Sequence, residues 1–183
     1  MRKFYLTVLF YALVCVQAWA VDEFDAVKCG DDIPKAMIGR HSSSERVVVI
    51  EARHSALGLK DLGGTEISDR LYLSSWRICG GEYALLVESA KDLVRDVLAV
   101  PAHSFQSPVS FVESCQVAGK EVPDAVIAIL DNSQGQRPKG YLDKVTLPAK
   151  TAWKIDEHQE RFVSISTQGL SCTVSSSSED FKQ

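Results

Sequence analysis

"EYALLVES", residues 82–89, decides the fold class of this chain. Tyr83, Leu85 and Val87 recur at every second position, the rhythm that puts them on one face of a half-buried strand. The same short-segment pattern, rich in β-branched and aromatic residues, recurs along most of the sequence. It places strands at 46–54, 70–79, 82–88, 93–100, 107–117, 125–130, 144–155 and 161–166, with a short final one at 170–174. "AGKE" at 118–121 and "DEHQE" at 156–160 read as hairpin turns between such runs, and 132–140 as a longer loop bearing Gly and Pro. Short strands separated by polar turns predict a mainly β fold, an antiparallel sheet or sandwich with little helix.

One short N-terminal helix is expected within "GDDIPKAMIGR", residues 30–40. Asp31 or Asp32 can cap it, Pro34 suits its first turn, and Gly39 can end it in a left-handed conformation. The chain therefore reads as α+β only to the extent of this one helix. No strict internal repeat is visible. Residues 21–174 form a single β-rich domain, with two small lobes (21–100 and 101–174) as the alternative division, and the Ser-rich end 175–183 reads as a disordered tail.

Residues 1–20 have the organisation of a signal peptide. Arg2 and Lys3 start a positive n-region, Phe4 to Val16 is uncharged and apolar, and Ala18-Trp19-Ala20 gives the small-x-small pattern that precedes a signal-peptidase cut. The apolar run is too short for a comfortable membrane span, so no stable membrane insertion is expected once it is removed. Val14 before Cys15 does not suit a lipoprotein site. An exported chain beginning at Val21 is expected, periplasmic or secreted.

The whole chain carries a formal net charge of −4, and more negative still without Arg2 and Lys3. Such a surface repels phosphate backbones, so no nucleic-acid role is expected, and it favours a basic protein partner. After export four cysteines remain: Cys29, Cys79, Cys115 and Cys172. In an oxidising compartment they read as two disulfides, each contributing roughly 2–4 kcal/mol. Four cysteines allow three pairings. Division into a front and a back half favours Cys29–Cys79 with Cys115–Cys172. Their wide spacing contains no C-x-x-C metal knuckle.

"VVVIEARHSALGLKDLGG", residues 47–64, holds the most suggestive polar chemistry. Glu51 and His54 would share a face if the segment were helical. The β-branched run Val47 to Ile50 favours a strand instead, on which residues three apart point to opposite faces. The following stretch, through Asp69, reads as a long connection carrying Lys60, Asp61, Glu66 and Asp69, a natural place for binding residues. "PAHSFQSP", residues 101–108, sets His103 and Phe105 between two prolines as a stiff loop, and Arg137 stands in the 132–140 loop. Trp76, Trp153 and Tyr83 read as core residues.

No serine-nucleophile motif, phosphate-binding glycine loop or histidine metal spacing is present, so no metal and no cofactor are expected. "DNSQG" at 131–135 departs from a calcium loop in glycine position and carboxylate count. Two functional readings follow. The first is a non-enzymatic binding or inhibitory protein acting on a basic secreted or envelope enzyme. Its contact residues would be Lys60, Asp61, Glu66, Asp69, His103, Phe105 and Arg137. The second is a small periplasmic hydrolase, with Glu51, His54, Asp61 and His103 as its acid–base candidates.

Overall fold

The computed structural model describes residues 22–140, 143–177 and 179–181. The expected signal peptide and Val21 lie outside the described residues. Among those described, the chain is mainly β and antiparallel, 47% strand against 11% helix, and both disulfides pair as the half-chain division favoured: Cys29 with Cys79 and Cys115 with Cys172. No described helix is long and apolar enough to cross a membrane.

The first sheet is a meander of four strands in chain order: β1 (Lys60–Ser68), β2 (Leu71–Ile78), β3 (Gly81–Glu88) and β4 (Leu93–Val100). Cys79 and Gly80 join β2 to β3, both with positive φ (52° and 82°), the two-residue turn whose twist matches that of the strands it links. The second sheet holds β5 (Val109–Phe111), β6 (Cys115–Val117), β7 (Lys120–Glu121), β8 (Val126–Leu130), β9 (Lys144–Asp156), β10 (Arg161–Ile165) and β11 (Leu170–Ser175). β9 organises it. Its first part pairs with β11 and its second with β8 and β10, and the change of partner falls between Pro148 and Ala149. A proline, which has no N–H to give a ladder, suits that corner.

The alternation in β3 is real, but the strand is buried on both faces. Tyr83, Leu85 and Val87 face Phe24, helix α1 (Ile33–Met37) and Ile50 of helix α2 (Val47–Arg53). Ala84 and Leu86 face the other way, into a cluster with Leu71 and Leu73 of β2, Ile127 and Ile129 of β8, and Ile155 of β9. That second cluster joins the front and back halves of the chain in one core. Each fully buried leucine or isoleucine in it contributes roughly 1.5–3 kcal/mol. The second sheet then curls so that Cys115 and Cys172 pack with Val126, Ala128 and Leu130 on the far face of β8. Trp76 is buried as expected, while Tyr83 and Trp153 are partly buried and packed against the core.

α1 forms as its residues indicate. Asp32 accepts the Lys35 N–H, Pro34 sits in the first turn, and Gly39 follows with φ +80°. Four expectations are corrected. Segment 46–54 is not a strand but contains α2, a second helix in place of the single one expected. Its three valines are poor helix formers, costing roughly 2 kcal/mol together relative to alanine. Tertiary anchors outweigh that cost: Ile50 is buried, the Glu51 carboxylate accepts the Asp61 N–H at 2.9 Å, and Arg53 donates to Asp22 at 3.0 Å. The connection from Ser55 onward is not a long loop. It forms a 3-10 turn (Ser55–Leu57) and then β1, so Lys60, Asp61 and Glu66 are strand residues.

The strand expected at 107–117 breaks into β5 and β6 at Val112, whose φ of +52° turns the chain from one part of the second sheet to another. The serine-rich end also differs from expectation within its described part. Ser175 completes β11, and Glu179–Phe181 form a 3-10 turn that inserts the buried Asp180 carboxylate beneath β5, where it accepts the Val109 N–H at 3.0 Å.

β1 is an edge strand bulged at two places, between Asp61 and Gly63 and between Glu66 and Ser68. The first bulge brings Gly64 so close to β2 that a Cβ there would lie 2.5 Å from the Leu73 carbonyl oxygen. Because a backbone atom is the obstacle, neither side can yield cheaply. Gly64→Ala is expected to lower unfolding free energy by roughly 1–3 kcal/mol, read as a lower urea midpoint at unchanged slope.

Candidate functional site

β1 is where the molecule is open. The glycine pair Gly63-Gly64 has no side chains to fill the space on either face of the edge strand, and a concavity lies on each face. On the α2 side is a groove of about 410 Å³, bordered by Glu45 and Val47, floored by Tyr72 and Trp76, and rimmed by Asp61 and Glu66. On the other side is a cleft of about 540 Å³ between the two sheets, containing Leu73, Phe111 and Val174 and closed at one end by Glu82 and His103.

The end of the cleft is an ion network. His103 Nδ1 lies 2.8 Å from Asp180 Oδ1, and its Nε2 lies 2.7 Å from Glu82 Oε2. Glu82 also accepts from Arg77 at 2.6 Å. The hydrogen bond to Asp180, aided by Glu82 and opposed by burial, pushes the His103 pKa up to about 9. Burial opposes ionisation of Glu82, but hydrogen bonds from Arg77 and His103 outweigh it and hold that carboxyl below its ordinary value. Near neutral pH His103 is therefore an imidazolium donating from both nitrogens. It has no lone pair with which to accept a substrate proton, and its role is to clamp the C-terminal turn to β3.

The other acid–base candidates are dispersed. Glu51 and His54 are both on or next to α2, yet they serve different partners. Glu51 holds the Asp61 backbone at the outer edge of β1, so Glu51 and Asp61 do meet, as carboxylate and amide. His54 Nε2 lies 2.9 Å from Asp22 Oδ2 and 3.9 Å from Asp25 Oδ1. Asp22, Asp25 and His54 form a group whose ligand atoms approach closely enough to hold a metal ion. Asp22 is already saturated, however. Its Oδ1 accepts the N–H groups of Phe24 and Asp25, and its Oδ2 faces both His54 and the Arg53 guanidinium. A cation there would have to displace another cation, so the cluster reads as a clamp between the N-terminal segment and α2.

The stiff loop with Phe105 and the loop with Arg137 come together. The Arg137 guanidinium lies 4.2 Å over the Phe105 ring, Phe181 meets that ring edge-on at 5.6 Å, and buried Asn132 donates to the carbonyls of Phe105 and Gln136. Phe105 and Arg137 are thus brought together from two loops, with Phe105 half-buried and Arg137 exposed. Asp69 is exposed in the β1–β2 turn, away from these contacts.

Sequence reasoning missed two features of the groove. One is Glu23, only 2% exposed, whose carboxylate accepts from Ser42 Oγ at 3.2 Å and from the Ser43 N–H at 2.8 Å. Burial pushes its pKa above the ordinary carboxylate value, with the neighbouring Asp22 charge acting in the same direction. The other is the apolar surface of α2, where Val47 borders the groove and Val47, Val48 and Val49 are 39%, 64% and 37% exposed. The valines were visible in the sequence, but a helix that exposes them was not. The groove residues comprise four carboxylates (Glu23, Glu45, Asp61 and Glu66) and no lysine, arginine or histidine. At the end of the cleft, by contrast, Arg77, Glu82, His103 and Asp180 pair with one another. Compared with known proteins, the chain matches no family model, and no curated protein or solved structure shows a significant match.

The His103 clamp makes stability depend on pH in a definite direction. Its folded pKa is raised from the ordinary histidine value of 6.5 to about 9, so its contribution is complete below the unfolded pKa and is lost as pH rises through the folded one. Between pH 6.5 and 9 the unfolding free energy is expected to fall by an amount on the order of 2 kcal/mol. Denaturant titrations across that range should show the decline in the wild type and a much flatter profile in His103→Gln.

Proposed function

We propose that this is an exported, non-enzymatic binding protein that docks on a basic secreted or envelope enzyme and thereby restrains it. The observation that carries this reading is the groove beside β1, where Glu23, Asp61 and Glu66 have no ion-pair partner among the described residues and stand beside exposed valines of α2. Only the fourth carboxylate, Glu45, is paired with Arg53. A patch combining apolar contact with three uncompensated carboxylates suits a positively charged protein surface, the charge speeding encounter and the valines supplying desolvated contact. Two disulfides fit an oxidising compartment, periplasmic or extracellular. The hydrolase reading is the weaker one. It needs an acid and a base converging on one cavity, and the strongest perturbed group, His103, has both nitrogens occupied by carboxylates.

The disulfide-intact protein, immobilised and exposed to envelope and secreted fractions, is expected to retain a basic enzyme at low salt and to lose it progressively as salt rises. Retention of nothing at either salt would refute the reading.

α2 supplies a separate check. Val48 is exposed and its β-branch disfavours helix, so Val48→Ala is expected to raise unfolding free energy by about 0.5 kcal/mol while weakening partner retention. A variant that is more stable and binds as well as the wild type would remove the exposed valines of α2 from the interface.

A further inference from the structure

We infer that the groove beside β1 is a subsite for a single arginine or lysine side chain of the partner, with the Glu23 carboxylate as its counter-charge. The inference rests on the binding reading for the source of that side chain, but its own argument is local. A carboxylate as buried as Glu23 ordinarily faces a cation. Glu23 has hydrogen bonds from Ser42 and Ser43, but no ion-pair partner among the described residues. The nearest comparable acid, Asp22, has Arg53. Glu23 therefore has its acceptor geometry fixed by the protein and its charge left uncompensated.

The rest of the groove fits one long cationic side chain better than a small ion. Asp61 and Glu66 also lack ion-pair partners among the described residues, while Glu45 is paired with Arg53. No three of the four groove carboxylates converge closely enough to hold a metal. They are spread along a channel with an apolar floor, where Tyr72 and Trp76 can cover the methylene stem of an arginine or lysine while its head reaches a carboxylate. The volume, about 410 Å³, lies at the small end of the range for ligand sites, enough for a long side chain and adjoining backbone. Gly63 and Gly64 leave the β1 wall free of side chains that would obstruct such entry.

The experiment uses the full disulfide-intact protein, ¹⁵N-labelled, with acetyl-Gly-Arg-Gly-amide as the probe. The Trp76 indole N–H and the Gly63 to Thr65 amides are followed during titration. These signals are expected to shift and saturate with the arginine peptide. The isosteric citrulline peptide, which lacks the charge, should bind at least about tenfold more weakly. Glu23→Gln should cost a similar factor, with its unfolding midpoint measured to confirm an intact fold. Glu66→Gln, at an exposed position, should cost roughly two- to threefold without structural risk. Equal binding of the citrulline peptide, or unchanged affinity in both variants, would overturn the inference, as would calcium chloride reproducing the shifts at the same concentration. If a basic enzyme is retained by the immobilised protein while the groove signals stay still, this subsite falls and the binding reading stands. If the groove binds the peptide selectively while no enzyme is retained, the subsite stands and the partner reading falls.

Discussion

A four-stranded sheet that is apolar on both faces cannot be left with either face in water, and most of this structure follows from that constraint. β2 and β3 present Trp76, Ile78, Leu85 and Val87 to one side and Leu71, Leu73, Ala84 and Leu86 to the other. The N-terminal segment with α1 and α2 covers the first face, and β5, β8 and β9 cover the second. The disulfide Cys29–Cys79 ties the first cover to the β2–β3 turn. Polar links reinforce the second. Asp96 of β4 accepts the Phe162 N–H of β10 at 2.8 Å, and Arg95 pairs with Glu160 at 2.6 Å. Neither cover fully encloses β1. The edge strand with its two bulges and its glycine pair is therefore open on both sides, and the groove and the cleft are the two faces of one deficit.

That geometry explains what the sequence disclosed and what it withheld. Period-two alternation and turn residues located β2, β3, β4, β8, β9, β10 and β11 closely, because their side chains meet a continuous core and the pattern reports it. α2 was misread because its helicity does not come from its own residues. A run of three valines prefers strand, and only contacts made at a distance, Ile50 in the core, Glu51 on the Asp61 amide and Arg53 on Asp22, hold it as a helix. β1 was misread for the complementary reason. An exposed, bulged edge strand buries little, so its sequence carries glycines and polar residues where a covered strand would carry apolar ones. The C-terminal turn escaped notice because its anchor is one residue, Asp180, whose partner His103 lies 77 positions earlier.

The candidate residues divide along the same line. His103 and Asp61 were picked out by type and each does line a concavity, but their chemistry is fixed by neighbours that no local pattern reveals. A histidine between two carboxylates is a cation with a structural task, whereas the same histidine beside one carboxylate and an open cavity would be a base. Glu51 hydrogen bonds to the backbone of an edge strand, blunting part of an edge that would otherwise present a free donor to another chain. The sequence identified polar residues by type, and of the acid–base candidates two, Asp61 and His103, line a concavity. It could not say which of them would be saturated.

The lack of an ion-pair partner among the described residues at Glu23, Asp61 and Glu66 distinguishes the groove from the other charged clusters. Arg77, Glu82, His103 and Asp180 neutralise one another, as do Arg53, Asp22 and Glu45, and Arg70, Glu88, Arg95 and Glu160 form a third network. Folding has therefore matched most buried or half-buried charges to opposite ones. Glu23 departs from that rule, and burying it has a cost that its two hydrogen bonds only partly offset. A cation arriving from outside would gain the interaction that the fold leaves unmade. The expense of the unpaired carboxylate in the free protein then becomes a source of selectivity for positively charged partners, since a neutral or acidic surface could not recover it.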